Sequence, residues 1–238
     1  MSLRNRTESS YGLVELRTVV DLLPISREAD AYYLRNVDQN KPASDPMMPA
    51  LHRIHAVRPM QSVLEIGSNT GWRLDGIRSA LGVSTVCGVE ASTLAVDEHQ
   101  ATYPDIPVVR GVAPEVLSGF PAGSFDTVIV GFLLYLLPRD LLFAFAAQVD
   151  RLLADDGHIV IEDFLHPSPV SRDYAHQDQL RVFKHDPSAP WSWSPTYSLV
   201  DRQLIEHEAH TVDNADPSRW ITVDVLRKHS LPTAYPAI

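Results

Sequence analysis

Cysteine is nearly absent. The single thiol, Cys87, excludes an internal disulfide and any cysteine-built zinc site. It falls in a β-patterned run and reads as a small core hydrophobe. Positive charge is also scarce: 20 Lys and Arg stand against 30 Asp and Glu, a formal net charge of −10. Nucleic-acid binding needs a basic surface to displace counterions, so nucleic acid is not an expected partner. Long apolar runs are missing too. The longest spans ten residues, 128–137, and ends at Pro138, whereas a membrane helix needs about 20. The start of the chain is polar, with no apolar stretch of the signal-peptide kind. The expectation is a cytoplasmic protein with no membrane partner. No internal repeat and no low-complexity segment is visible.

Several motifs are absent as well. There is no G-x-G-x-x-G dinucleotide fingerprint, no P-loop G-x-x-x-x-G-K-[ST] and no Tyr-x-x-x-Lys. Hydrolysis of ATP or GTP is set aside on that ground. The ten histidines include His207-Glu208-Ala209-His210, one residue short of H-E-x-x-H. On a strand its two histidines would face opposite sides, so no metal site is expected. His52 and His55 share a helix face with no partners in view.

What is present suits a globular chain. Hydrophobic residues make up 45% of 238 positions and charged residues 21%, enough apolar material for one large core. The organising stretch is Val63-Leu64-Glu65-Ile66-Gly67-Ser68-Asn69-Thr70-Gly71-Trp72. It reads as a buried strand over 62–66, a glycine-bounded turn, and a helix over 71–81 stopped by Gly82. Such a turn is expected to leave backbone N–H groups open at a crevice, and its glycines let a ligand approach. The implied ligand is a nucleotide-type cofactor. Glu65, just before the first glycine, suits an amino group better than a pyrophosphate.

Further strands are predicted over 84–90, 106–110, 125–131 and 158–164, with helices over 92–102 and from 138 onward. The second strand ends on Glu90, nineteen residues after Gly71, where a carboxylate can accept both ribose hydroxyls. Alternation of strand and helix gives a doubly wound parallel α/β sheet. Runs over 204–212 and 220–226 would close it as an antiparallel hairpin. Ahead of the sheet, residues 1–60 form an N-terminal helical lid segment, with helices expected over 26–36 and 49–56. The main domain covers 61–238. Its segment over about 165–198 is rich in Pro, His and aromatics and shows no period of 3.6 or 2, so it reads as an irregular substrate cap. His166 and His176 lie in that cap and are candidate general bases, because imidazole titrates near neutrality. Lys184 and Tyr197 are candidates for binding an anionic or sugar-like substrate, and Trp193 for lining an apolar wall beside Trp191. As surface or packing residues they would look the same.

The Glu65-x-Gly67-x-Asn69-x-Gly71 stretch resembles motif I of class I S-adenosylmethionine-dependent methyltransferases, usually [DE]-x-G-x-G-x-G, with Asn69 for the middle glycine. The resemblance covers residues 64–164 and implies a Rossmann-like sheet of seven strands with an antiparallel C-terminal hairpin. It implies that Glu65, Gly67 and Gly71 hold the methionine moiety, with Ser68 and Asn69 in the same loop. Glu90 and Ala91 would hold the ribose, Val112 and Ala113 the adenine. Gly131 and Phe132 would flank the methionine end, with Tyr135 assisting deprotonation. More narrowly, Tyr33-x-Arg35-Asn36 and Tyr174-x-His176…Lys184…Trp193-x-Pro195-x-Tyr197 are similar to bacterial small-molecule methyltransferases of pseudaminic acid and surface-sugar pathways. Tyr33 and Arg35 join the substrate candidates on that basis. The implied activity is methyl transfer to an oxygen or nitrogen of a small molecule, a surface sugar or a natural-product intermediate, by a monomer or homodimer. Two alternatives keep the same crevice: a cofactor-assisted cyclase on this fold and an NAD(P)-dependent oxidoreductase.

Overall fold

The computed structural model describes residues 23–36, 45–206 and 216–237. Strand β1 (Ser62–Ile66) sits at the centre of the main sheet and pairs in parallel with β2 (Thr85–Glu90) and β4 (Phe125–Gly131). β3 (Val108–Arg110) extends the sheet beyond β2, and β5 (Leu153–Phe164) beyond β4. β9 (Trp220–Lys228) then runs antiparallel to β5, and β8 (Tyr197–Glu206) antiparallel to β9. The order β3-β2-β1-β4-β5-β9-β8 is a seven-stranded doubly wound α/β sheet with an antiparallel end, as the sequence reading expects.

The parallel strands read as near-continuous apolar runs because helices cover both faces. Leu64, Ile66, Val128, Val130, Ile159 and Ile161 face one cluster, which includes Phe145 and Leu152 of α5 (Leu142–Leu152). Val63, Ile129, Val160, Val223 and Val225 face the other. That second cluster takes Leu51 and Ile54 from α2 (Met48–Val57), and Leu74 and Ile77 from α3 (Trp72–Leu81). Each fully buried Val or Leu contributes about 1.5–3 kcal/mol. The period-2 alternation has a consequence for the site. Glu65 shares a face with Val63, and Glu162 with Val160, so both carboxylates fall on the α3 side of the sheet.

Local chemistry sets the element ends. α3 starts after Gly71 (φ 81°) and stops at Gly82 (φ 68°). α4 (Thr93–Thr102) is capped by Ser92, whose Oγ accepts from the Ala95 N–H at 3.1 Å. α1 (Leu23–Arg35) carries Pro24 inside its first turn, where proline lacks only an N–H that would be unpaired anyway.

Some boundaries differ from the sequence reading. β3 begins at Val108, two residues later than expected. β5 begins at Leu153, because a bulge separates the Phe125–Leu153 pair from the Thr127–His158 pair. The last helix of the parallel half begins at Leu142 rather than at Pro138. The cap is not wholly irregular. It holds an antiparallel hairpin of β6 (Val170–Asp173) and β7 (Arg181–Lys184), followed by the short α6 (Ala189–Ser192). Four-residue strands are too short to show a period. β8 begins at Tyr197 rather than 204, which moves Tyr197 from the cap into the sheet. Residues 1–22 of the N-terminal segment and the His207–His210 stretch lie outside the described residues. Among the described residues no helix is long and apolar enough to cross a membrane.

Candidate functional site

The carboxyl ends of β1, β2 and β4 open onto a cavity of about 220 Å³. Its floor is Glu65, Gly67, Ser68 and Asn69 after β1, Glu90 and Ala91 after β2, Val112 and Ala113 after β3, and Gly131 and Phe132 after β4. This is the crevice position expected of an open α/β sheet. All ten were singled out from sequence. α1 covers the cavity, contributing Glu28, Tyr32 and Tyr33. The helix is pinned to the start of α4. Asp30 accepts from the Ser92 hydroxyl at 2.7 Å, and the Tyr33 hydroxyl donates to Glu98.

The turn after β1 departs from one expectation. Four of its N–H groups are already bonded within the chain. Those of Gly67 and Ser68 donate to the Val89 carbonyl at 2.8 and 3.1 Å, that of Gly71 to the Ser68 carbonyl at 2.9 Å, and that of Asn69 to Glu90 at 2.8 Å. The loop is therefore no anion cradle. Gly71 does not line the cavity. A Cβ there would lie 2.5 Å from the His99 ring, so the glycine serves the packing of the loop on α4. Asn69 takes up φ 48° in place of a middle glycine, a region that asparagine tolerates better than most residues.

Charge is concentrated beneath this loop. Arg73, near the start of α3, contacts three carboxylates: Asp45 at 2.7 Å, Glu65 at 2.5 Å and Glu162 at 3.4 Å. All four side chains are nearly inaccessible. One guanidinium cannot neutralise three carboxylates, so burial pushes Glu65 and Glu162 up to about 7 each, with Arg73 opposing the shift. Oε2 of Glu65 and Oγ of Ser68 are buried without a hydrogen-bond partner among the described residues. Glu90 accepts from Asn69 N–H through one oxygen and from Ser92 N–H at 2.7 Å through the other. It thereby ties the β1 loop to α4, and burial raises its pKa despite these bonds. A ligand that fits this floor brings positive charge to the Glu65 end and hydroxyl donors to Glu90.

The loop after β4 is built by Asp163. Its Oδ2 accepts from the N–H groups of Leu134 (2.7 Å) and Tyr135 (3.3 Å), and its Oδ1 from that of Phe164 (2.7 Å). This holds Phe132 at φ 45° over the cavity and sets Tyr135 in the wall. Burial lifts the Tyr135 hydroxyl well above the ordinary phenol range.

The remaining candidates are scattered. His166, Lys184 and Trp193 line a second, wider cavity of about 990 Å³ beside the hairpin and α6. There His166 Nδ1 meets the Ser168 carbonyl at 2.5 Å, and Lys184 Nζ donates to the Ser218 carbonyl at 2.5 Å and lies 4.1 Å from the Phe164 ring centre. Trp193 is 76% exposed. His176 is exposed beside the Tyr174 ring and lines neither cavity. Tyr197 is buried in the core and donates to Asp150 at 2.7 Å, again away from both. Arg35 is paired with Glu28 rather than lining the cavity. The sequence reading did not single out Glu28, Arg73, Glu162 or Asp163. The one available signal was the pair Glu162-Asp163 inside the largely apolar β5.

The family described as a methyltransferase domain matches residues 25–218 of the chain. Among solved structures, the Burkholderia thailandensis 1,6-didemethyltoxoflavin-N1-methyltransferase, bound to 1,6-didemethyltoxoflavin and S-adenosylhomocysteine, is similar with a TM-score of 0.63 at 20% identity, over 89% of each chain. The DhpI–SAM–HEP complex gives 0.56 at 18% identity over 92% of this chain and 99% of that one. An S-adenosylmethionine-dependent methyltransferase from Mesorhizobium loti gives 0.54 at 17% over 78% and 99%. No curated protein matches the chain by sequence.

Proposed function

The chain belongs to the methyltransferase-domain family as an S-adenosylmethionine-dependent enzyme, and we propose that it methylates an oxygen or nitrogen of a small natural-product intermediate held under α1. The observation that carries this reading is the surplus of buried carboxylate around Arg73 at the cavity floor. S-adenosylmethionine is a net cation, its ammonium and sulfonium outweighing its one carboxylate, whereas a dinucleotide brings a pyrophosphate. The satisfied N–H groups of the β1 loop favour the same choice.

In this reading Glu65 pairs with the amino group of the methionine moiety through its free oxygen. Glu90 accepts from the ribose hydroxyls with the lone pairs that Asn69 and Ser92 leave open. Val112 and Ala113 pack on the adenine, and Gly131 and Phe132 border the methionine end. When bound, the cofactor supplies an electrophilic methyl group. The chain's own task is then to align a nucleophile in line with it and to exclude water. α1 supplies the lid, and its Tyr32 and Tyr33, with Trp72, Phe132 and Tyr135, make a largely aromatic wall.

A sugar acid of the nonulosonic kind is a weaker fit. Among the described residues Arg73 is the only basic side chain that lines the cavity, and it is already committed to three carboxylates. The similar 1,6-didemethyltoxoflavin-N1-methyltransferase acts on a nitrogen, which is in keeping with a small-molecule nitrogen acceptor here. Calorimetric titration with S-adenosylmethionine, S-adenosylhomocysteine and NAD tests the cofactor assignment. Binding of the two sulfur compounds and not of NAD is expected; binding of NAD alone overturns it.

A further inference from the structure

Glu28 on α1 is 3% exposed and lines the crevice cavity. Its Oε1 accepts from the Arg35 guanidinium and from the Tyr174 hydroxyl, the latter at 2.8 Å. Its Oε2 is buried with no hydrogen-bond partner among the described residues. Tyr174 follows β6, so this contact joins the lid helix to the cap hairpin. Tyr135, in the cavity wall, meets the Tyr174 ring edge-on, with 6.3 Å between ring centres. A buried carboxylate oxygen without a donor is costly, and a structure keeps one where a ligand supplies the donor.

We propose that Glu28 accepts the proton of the methyl acceptor, and that the acceptor is an aromatic ring carrying an acidic O–H or N–H. The proposal rests on the methyltransferase reading above. The ring fits the wall of Tyr32, Trp72, Phe132 and Tyr135, and its O–H or N–H donates to Glu28 Oε2. As the oxygen or nitrogen forms its bond to the methyl carbon, the carbon–sulfur bond breaks and its electron pair stays on sulfur. The acceptor's proton passes to Glu28. The sulfonium becomes a neutral thioether, and the carboxylate becomes a carboxylic acid. Tyr174 and Arg35 are positioning residues. They hold Oε1, so that Oε2 alone is presented. The charged and titratable groups around Glu28 are Arg35 and Tyr32 on its own helix, Tyr174 from the hairpin and Tyr135 from the loop after β4. Glu65, Glu90 and Arg73 lie on the cavity floor.

The test uses 4-nitrophenol, whose neutral and ionised forms absorb at different wavelengths, with the full chain saturated with S-adenosylhomocysteine. At a pH equal to the probe's own pKa, the Glu28 carboxylate repels the phenolate and accepts from the phenol. A carboxyl is a much weaker base than a phenolate, so the phenol keeps its proton in the resting complex. Bound probe is therefore expected to shift toward the neutral form in the wild type, by about tenfold in the ratio of the two forms. Glu28→Gln removes that shift and changes affinity for S-adenosylhomocysteine by less than about twofold. Tyr174→Phe keeps the carboxylate but loosens its hold on Oε1, and is expected to retain only part of the shift. Three results overturn the proposal: no binding of the probe to the loaded protein, a shift unchanged in Glu28→Gln, or a shift lost equally in Tyr174→Phe. Failure of S-adenosylhomocysteine to bind the wild type would instead overturn the cofactor reading on which the proposal stands.

Discussion

The crevice cavity and the cap cavity are built from opposite kinds of residue. Among the described residues the crevice is lined by three acidic side chains, Glu28, Glu65 and Glu90, against one basic one, Arg73. The cap cavity is lined by Arg139, His166, Lys184 and His185 against one acidic residue, Asp186. The cap looks richer in reactive groups, yet its basic side chains are spent on the protein itself. Lys184 is bound to the Ser218 carbonyl, Arg139 to those of Leu134 and Leu137, and His185 to that of Asp186. In the crevice, oxygen atoms of Glu28, Glu65 and Ser68 are buried and unpartnered among the described residues. The physical mark of a ligand site is the second pattern: polar atoms desolvated in advance of a partner that the chain does not supply.

The contrast can be broken most forcefully at Arg73. Arg73→Leu leaves Asp45, Glu65 and Glu162 without their shared counter-ion and is expected to cost about 3–5 kcal/mol. Lys184→Met in the cap forfeits one carbonyl contact and one aromatic contact, about 1–2 kcal/mol. Urea unfolding of both variants checks the difference, and equal losses would erase it. Next in size is Glu90→Ala. Two lost bonds from ribose hydroxyls to a charged acceptor amount to roughly 3 kcal/mol, so affinity for S-adenosylhomocysteine should fall about 100-fold by calorimetry. Part of that loss comes from release of the β1 loop, because Glu90 also holds the Asn69 N–H. The smallest effects belong to the cap histidines. His166→Ala and His176→Ala are expected to leave S-adenosylhomocysteine affinity within about twofold. A larger change at either would carry the cofactor site into the cap.

Part of the crevice floor was legible because strand ends follow from local apolar pattern and glycine, while Ser68, Asn69, Ala91, Val112 and Ala113 followed from the family resemblance. Glu90 is found by counting from Gly71 to the end of the next apolar run. The closing antiparallel strands were legible as apolar runs, though β8 begins seven residues earlier than that pattern suggests, with Tyr197 in the sheet rather than the cap. The charged groups Glu28, Arg73, Glu162 and Asp163 were hidden for a different reason. Glu28 and Arg73 lie on helices, where a charged residue ordinarily marks the solvated face, and only tertiary packing turns them inward. Glu162 and Asp163 are adjacent on β5 and point to opposite faces, one toward Arg73 and one toward the Leu134 loop. No single period predicts both. Histidine in the cap drew attention by residue type alone, and type does not report where a side chain's bonds are already spent.

The most direct test of the central claim is the pH dependence of S-adenosylhomocysteine binding, in the wild type and in Glu65→Gln. In the empty protein burial holds the Glu65 carboxyl up to about 7, against an ordinary value near 4.3. Below about 7 it is neutral and must lose a proton to pair with the ligand's ammonium; above 7 it is already ionised. The account predicts binding strongest above pH 7 and falling roughly tenfold per unit as pH drops toward 5, with proton release seen as a buffer-dependent heat. In Glu65→Gln binding should be weaker and its pH slope shallower. Affinity that is flat with pH in the wild type, or a slope untouched by Glu65→Gln, would contradict the claim that the buried carboxylates of this crevice hold the cofactor.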